Sequence, residues 1–67
     1  MKLVDKREQG NVMVAIYEQT IKFNPNPYYE VFSFIDGVKQ RYTNAGWSLE
    51  HMRMDMDNIF NLITKGN

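Results

Sequence analysis

No cysteine occurs among the 67 residues. Its absence removes disulfides and every thiolate-based metal, redox or nucleophilic site. A single histidine, His51, is too few for an ordinary structural zinc site. The four glycines stand apart from one another, so no Gly-rich phosphate loop can be built from them. No apolar run approaches the roughly 18 residues of a membrane span. Residues 1–10 (MKLVDKREQG) lack the unbroken apolar core of a secretion signal, and the expectation is a soluble, cytoplasmic protein. Neither sign of charge is in excess, with eight basic and eight acidic residues. That balance argues against a nucleic-acid module, whose nonspecific affinity comes from a basic surplus, and equally against an acidic nucleic-acid mimic. Nothing in the composition calls for a cofactor.

What remains is a short chain with 43% hydrophobic residues, enough for one modest core. A domain of this size buries only about 60% of the surface of its unfolded chain, so its stability margin is thin. Disulfides, metal and self-association are the usual remedies, and the first two are removed by composition. Self-association is the expected one.

Residues 1–10 read as a charged, flexible arm or a short edge segment, and 11–67 as a single small domain. The β-branched and aromatic run beginning at Val12 predicts a first strand over about 12–23. Residues 26–47 predict a helix. Asn26 is a competent N-cap and Pro27 suits the first helical position. Tyr28, Val31, Phe32, Ile35, Val38 and Tyr42 recur at helical spacing, while Gly46 offers a C-terminal cap against which Trp47 packs back. A competing reading takes Asp36-Gly37 as a two-residue hairpin turn, which sets Phe32 and Phe34 beside Lys39 and Arg41 on one sheet face, an aromatic-basic surface whose implied alternative function is a small nucleic-acid-binding module. The helix explains the stripe, Pro27 and Gly46 together, whereas the hairpin explains Gly37.

Residues 47–65 fit two descriptions almost equally. As strands, Met52, Met54 and Met56 alternate with His51, Arg53 and Asp55, and Asp57-Asn58 turns the chain. As a helix, Ser48 caps a stripe of Leu49, Met52, Met56, Ile59, Phe60 and Ile63. A lone strand at 12–23 would leave its backbone unpaired, which favours the C-terminal hairpin. The expected fold is α+β, in the order β-α-β-β, a three-stranded antiparallel sheet with one helix on one face. The alternative is a β-hairpin or strand followed by two helices.

Tyr17-Glu18, Thr20-Ile21-Lys22-Phe23 and Ala45-Gly46-Trp47-x-Leu49 resemble the motifs of a family of small bacterial and phage domains of unknown function. Those domains begin with a Tyr-Glu-type strand and carry Gly-Trp-x-Leu where the helix passes to the second strand. The resemblance spans about residues 12–65 and implies the β-α-β-β fold. It implies no catalytic residues, and the Met-rich segment 52–56 departs from the β-branched second strand of that pattern.

No nucleophile stands beside a base. Ser33 and Ser48 are the only serines, one on the predicted wet helix face and one flanking a cap. His51, Arg53 and Asp55 could share a strand face, and Glu50, Asp55 and Asp57 could gather acidic groups. Their spacing matches no calcium loop, and solvated charge is the simpler account. Lys2, Lys6 and Arg7 cluster near Asp5 and Glu8 as an ordinary solvated tail. The chain is therefore expected to be non-enzymatic.

The apolar pattern is more telling. In the first strand Val12, Val14 and Ile16 point one way, and Met13, Ala15 and Tyr17 the other. One helix covers one face of a sheet, so an apolar second face calls for a partner, most simply a second copy in a two-fold dimer or a protein target. Val14, Ile16, Met52, Met54, Phe60 and Leu62 are the expected interface residues, with the opposite set as the one exposed if the register is reversed.

Overall fold

The computed structural model describes residues 1–65. Its elements are β1 (Lys2–Gln9), β2 (Val12–Gln19), β3 (Tyr28–Ile35), β4 (Val38–Lys39), β5 (Asn44–Gly46) and α1 (Leu49–Lys65). The class is α+β, an antiparallel sheet followed by one C-terminal helix. The order differs from the expected β-α-β-β, because strands precede the helix and it alone closes the described chain. β1, β2 and β3 form a meander, and β4 and β5 both pair with β3.

Two tight turns bring about this order. Gly10 takes φ +59° between β1 and β2. Asp36 and Gly37 take φ 54° and 78°, the left-handed pair that a type I′ hairpin requires. A helix cannot pass through two consecutive left-handed residues, so the expected helix over 26–47 is replaced by β3, β4 and β5. Asn26 and Pro27 lie in the β2–β3 connection rather than at a helix start. There the Asn26 N–H donates to Asn24 Oδ1 at 3.0 Å. Gly46 is a strand residue and caps nothing; a Cβ built on it would lie 3.1 Å from Met52 Cε. Trp47 stacks edge-on against Tyr28, with ring centroids 5.0 Å apart.

β4 and β5 are two halves of one edge, interrupted at residues 40–43. The interruption is pinned from β3. The Gln40 N–H donates to the Ser33 carbonyl at 2.7 Å, and Ser33 Oγ donates to the Tyr42 carbonyl at 2.7 Å. Ser33 is fully buried, so that bond satisfies a hydroxyl in the core. Residues 2–9, read as an arm or edge segment, form the full-length edge strand β1, with an irregularity between Leu3 and Asp5.

α1 settles the ambiguity over 47–65. The His51 N–H donates to Ser48 Oγ at 3.3 Å, and the Met52 N–H donates to the Ser48 carbonyl at 3.0 Å, so Ser48 is the N-cap. Glu50 in the first turn and Lys65 in the last suit the helix dipole. Met52, Met56, Phe60 and Ile63 form the stripe that α1 buries against Val12, Val14, Ile16, Tyr29 and Val31.

Gly37→Val should lower stability by about 1–2 kcal/mol, because a β-branched residue is strained at positive φ. Gly46→Ala should have a smaller effect, since the clashing atom ends a flexible methionine. Urea-unfolding midpoints of the two variants check this ordering.

Candidate functional site: the open face and the strand edges

The β registers sort the sheet into two faces. Val14 lies opposite Ser33, and Ile16 opposite Val31, on the side that α1 covers. On the other side four rows cross the strands. The first is Glu8, Met13, Phe34 and Lys39, and the second is Lys6, Ala15 and Phe32. The third is Leu3, Tyr17, Glu30 and Ala45, and the fourth is Gln19 and Tyr28, extended by Trp47 against Tyr28.

No described element covers these rows. Ala15 is sealed by its larger neighbours, while Met13, Tyr17, Tyr28, Phe32 and Phe34 stay half-buried. The rings lie close together. Tyr17 and Phe32 have centroids 5.7 Å apart, and Lys39 Nζ sits 4.4 Å over the Phe32 ring. Two lysines and two glutamates share the face, and Lys6 pairs with Glu8 at 3.4 Å. It is therefore aromatic and charge-balanced.

None of the six expected interface residues lies on the open face. Val14, Ile16, Met52 and Phe60 are inside the core, because α1 covers the Val14 side and its stripe supplies the other half of the packing. Met54 and Leu62 are 59% and 54% exposed, on the outer face of α1 and away from the sheet. The uncovered set is the one with the opposite register in β2, Met13 and Tyr17. Phe32, Phe34 and Lys39 are brought together as the hairpin reading placed them. Arg41 lies in the interrupted stretch, 5.4 Å from the Tyr42 ring.

Of the charged residues considered for metal or acid–base chemistry, Arg53, Asp55 and Asp57 are tied to the sheet. Arg53 Nε donates to Asp5 Oδ2 at 3.3 Å, and Arg7 donates to Asp57 Oδ1 at 2.9 Å while lying over the Phe60 ring at 4.3 Å. Asn44 Nδ2 donates to Asp55 Oδ2. Among the described residues, no group of three or more His, Asp or Glu side chains could hold a metal ion. A cavity of about 500 Å³ beside β5 and α1 is lined by Trp47, His51, Met54 and Asp55 among others.

Two of these ties also hold a side chain that occupies one amide on each outer strand, a feature that sequence reasoning missed. The Lys6 N–H on β1 donates to Asp5 Oδ1 at 2.8 Å, and the Ala45 N–H on β5 donates to Asn44 Oδ1 at 2.9 Å. The two capping side chains are the ones anchored to Arg53 and Asp55. An edge amide held in this way is withdrawn from pairing with a further strand. The sequence signal was an Asx residue immediately before the occupied amide on each edge.

Comparison with protein-family models, with curated proteins and with solved structures gives no match for this chain.

Asn44→Ala should free the Ala45 amide and release Asp55, with a stability loss of about 1 kcal/mol for the missing bonds. Hydrogen exchange at Ala45 should accelerate, and aggregation on prolonged incubation should increase relative to the parent chain.

Proposed function

We propose that the chain is a small non-enzymatic interaction domain that self-associates through its open sheet face. The observation that supports this reading is an uncovered cluster of half-buried rings (Tyr17, Phe32, Phe34) on the sheet face opposite α1. The face carries equal numbers of lysines and glutamates, which suits a self-complementary contact. A two-sided apolar sheet in a chain this small gains a second core by pairing. The resemblance to small bacterial and phage domains extends the proposal to an accessory protein of a phage or mobile element, acting in the cytoplasm on a host protein.

A second reading is favoured by one arrangement, the Lys39 ammonium over Phe32 beside Phe34 on a hairpin that precedes a C-terminal helix. Aromatic and basic groups in that order can stack and neutralise single-stranded nucleic acid. The balanced charge of the chain and of the face speaks for protein.

Sedimentation across a micromolar concentration series should reveal a dimer, and Phe34→Lys should dissociate it while leaving the circular dichroism spectrum unchanged. Met54→Lys, on the outer helix face, should leave the mass as it is. A monomer throughout would falsify the proposal. Salt-sensitive retention of a single-stranded oligonucleotide, lost in the Lys39→Ala variant, would instead establish the second reading.

A further inference from the structure

The connection between β2 and β3 presents an apolar finger that the core does not use. The Asn24 N–H donates to the Ile21 carbonyl at 3.0 Å, closing a turn whose two central residues are Lys22 and Phe23. The Asn26 N–H donates to Asn24 Oδ1 at 3.0 Å, and Pro25 and Pro27 stiffen the return to β3. Turn tips are ordinarily polar, yet Phe23 is 91% exposed and Ile21 is exposed beside it. Lys22 Nζ lies 5.6 Å from the centre of the Phe23 ring, so the turn carries a cation together with its ring. Other apolar groups gather at this end of the sheet. Met1 adjoins Lys2, which pairs with Glu18 near the end of β2, and Trp47 packs on Tyr28, which pairs with Gln19. Met1 and Trp47 are both exposed.

We infer that this end of the molecule is a peripheral anchor for an anionic lipid surface, with Phe23 and Ile21 entering the interface and Lys22 meeting the headgroups. The inference goes beyond the self-association proposed above and needs no dimer. Three features favour lipid over a protein pocket. Phe23 stands at the tip of a turn, and a fluid interface closes around a projecting ring, whereas a folded partner needs a matching cavity. The residue types are also layered by depth. Phenyl and aliphatic groups occupy the tip, and the Tyr28–Trp47 pair sits behind them at the strand ends, where amphipathic rings suit the headgroup level. Charge is the third feature. Lys22 is the one charged residue between Glu18 and Glu30, so no carboxylate on the finger opposes an anionic surface. The bracing hydrogen bonds and prolines leave the finger little freedom to lose on contact. Attachment is to one leaflet, because no described helix is long and apolar enough to cross a membrane. A single finger of this kind gives weak, reversible binding.

Co-sedimentation with vesicles at millimolar lipid and a fixed protein concentration tests the inference. The chain should bind vesicles of equal parts phosphatidylcholine and phosphatidylglycerol more tightly than vesicles of phosphatidylcholine alone, by roughly fivefold for one lysine near the surface. Phe23→Ala should weaken binding to the mixed vesicles about tenfold, through the apolar area it no longer buries. Lys22→Gln should remove the preference for the anionic lipid. Both side chains are exposed, so the circular dichroism spectra of the variants should match the parent. Trp47 is the only tryptophan, and its emission should move to shorter wavelength when the mixed vesicles are added. A chain that binds neither vesicle, that binds both equally, or whose binding is indifferent to Phe23→Ala overturns the inference.

Discussion

Strand β2 is apolar on both of its faces, and the fold supplies a single helix to cover them. Val12, Val14 and Ile16 are sealed under Met52, Met56, Phe60 and Ile63 of α1. Met13 and Tyr17, alternating with them along the same strand, have no such lid. Every other feature of the sheet is arranged around this imbalance. The meander places β3 beside β2, and β3 repeats the pattern, with Tyr29 and Val31 inward and Phe32 and Phe34 outward. The result is one dry interface within the molecule and one half-dry surface outside it. Half-buried rings on a pleated surface already exclude part of their water, so a flat partner completes their burial with little loss of side-chain freedom.

The same two-sidedness explains why part of the fold was illegible. A strand that is apolar on both faces carries few polar residues to mark a period of two. Over 28–42, Tyr28, Val31, Phe32 and Ile35 therefore fit a helical stripe as well as a strand. The discriminating residues were Asp36 and Gly37, whose left-handed conformation is compatible only with the hairpin. Misreading that turn also misplaced the C-terminus. With 26–47 taken as helix, the strand at residue 12 lacked partners, and 47–65 had to supply them. In the structure β1 and β3 supply them instead, and the helix stripe of Met52, Met56, Phe60 and Ile63, present in the sequence with its Ser48 cap, is free to form. The class α+β and the strand beginning at Val12 were legible because they rest on composition and β-branching rather than on that turn.

The candidate site was legible as a principle and not as a residue set. The two faces of residues 12–17 were separable by alternation alone, but which one the helix covers depends on contacts distant in sequence. Met54 and Leu62 were drawn in because, on a strand, they would share a face with the apolar residues of a hairpin. On α1 they fall outside the buried stripe. The edge caps were hidden for a related reason. Asp5 and Asn44 act on local amides, yet their second partners, Arg53 and Asp55, lie 48 and 11 residues away. Read as a flexible arm, residues 2–9 had no reason to pair with the C-terminal helix.

Zero net charge conceals a division of labour. Arg53 with Asp5 and Arg7 with Asp57 join α1 to β1, while Asn44 with Asp55 joins it to β5. Each exposed pair is worth only about 0.2–1 kcal/mol, so the helix is held chiefly by its apolar stripe. What the pairs add is position, because they flank that stripe on two sides and fasten the Asx side chains that occupy one amide on each outer strand. Lys6, Glu8, Glu30 and Lys39 are left on the open face, and their opposite signs oppose indiscriminate sticking of a surface rich in rings. A partner must match both the rings and the alternation of charge. A second copy carries that same alternation of rings and unlike charges, which is what a self-complementary contact requires.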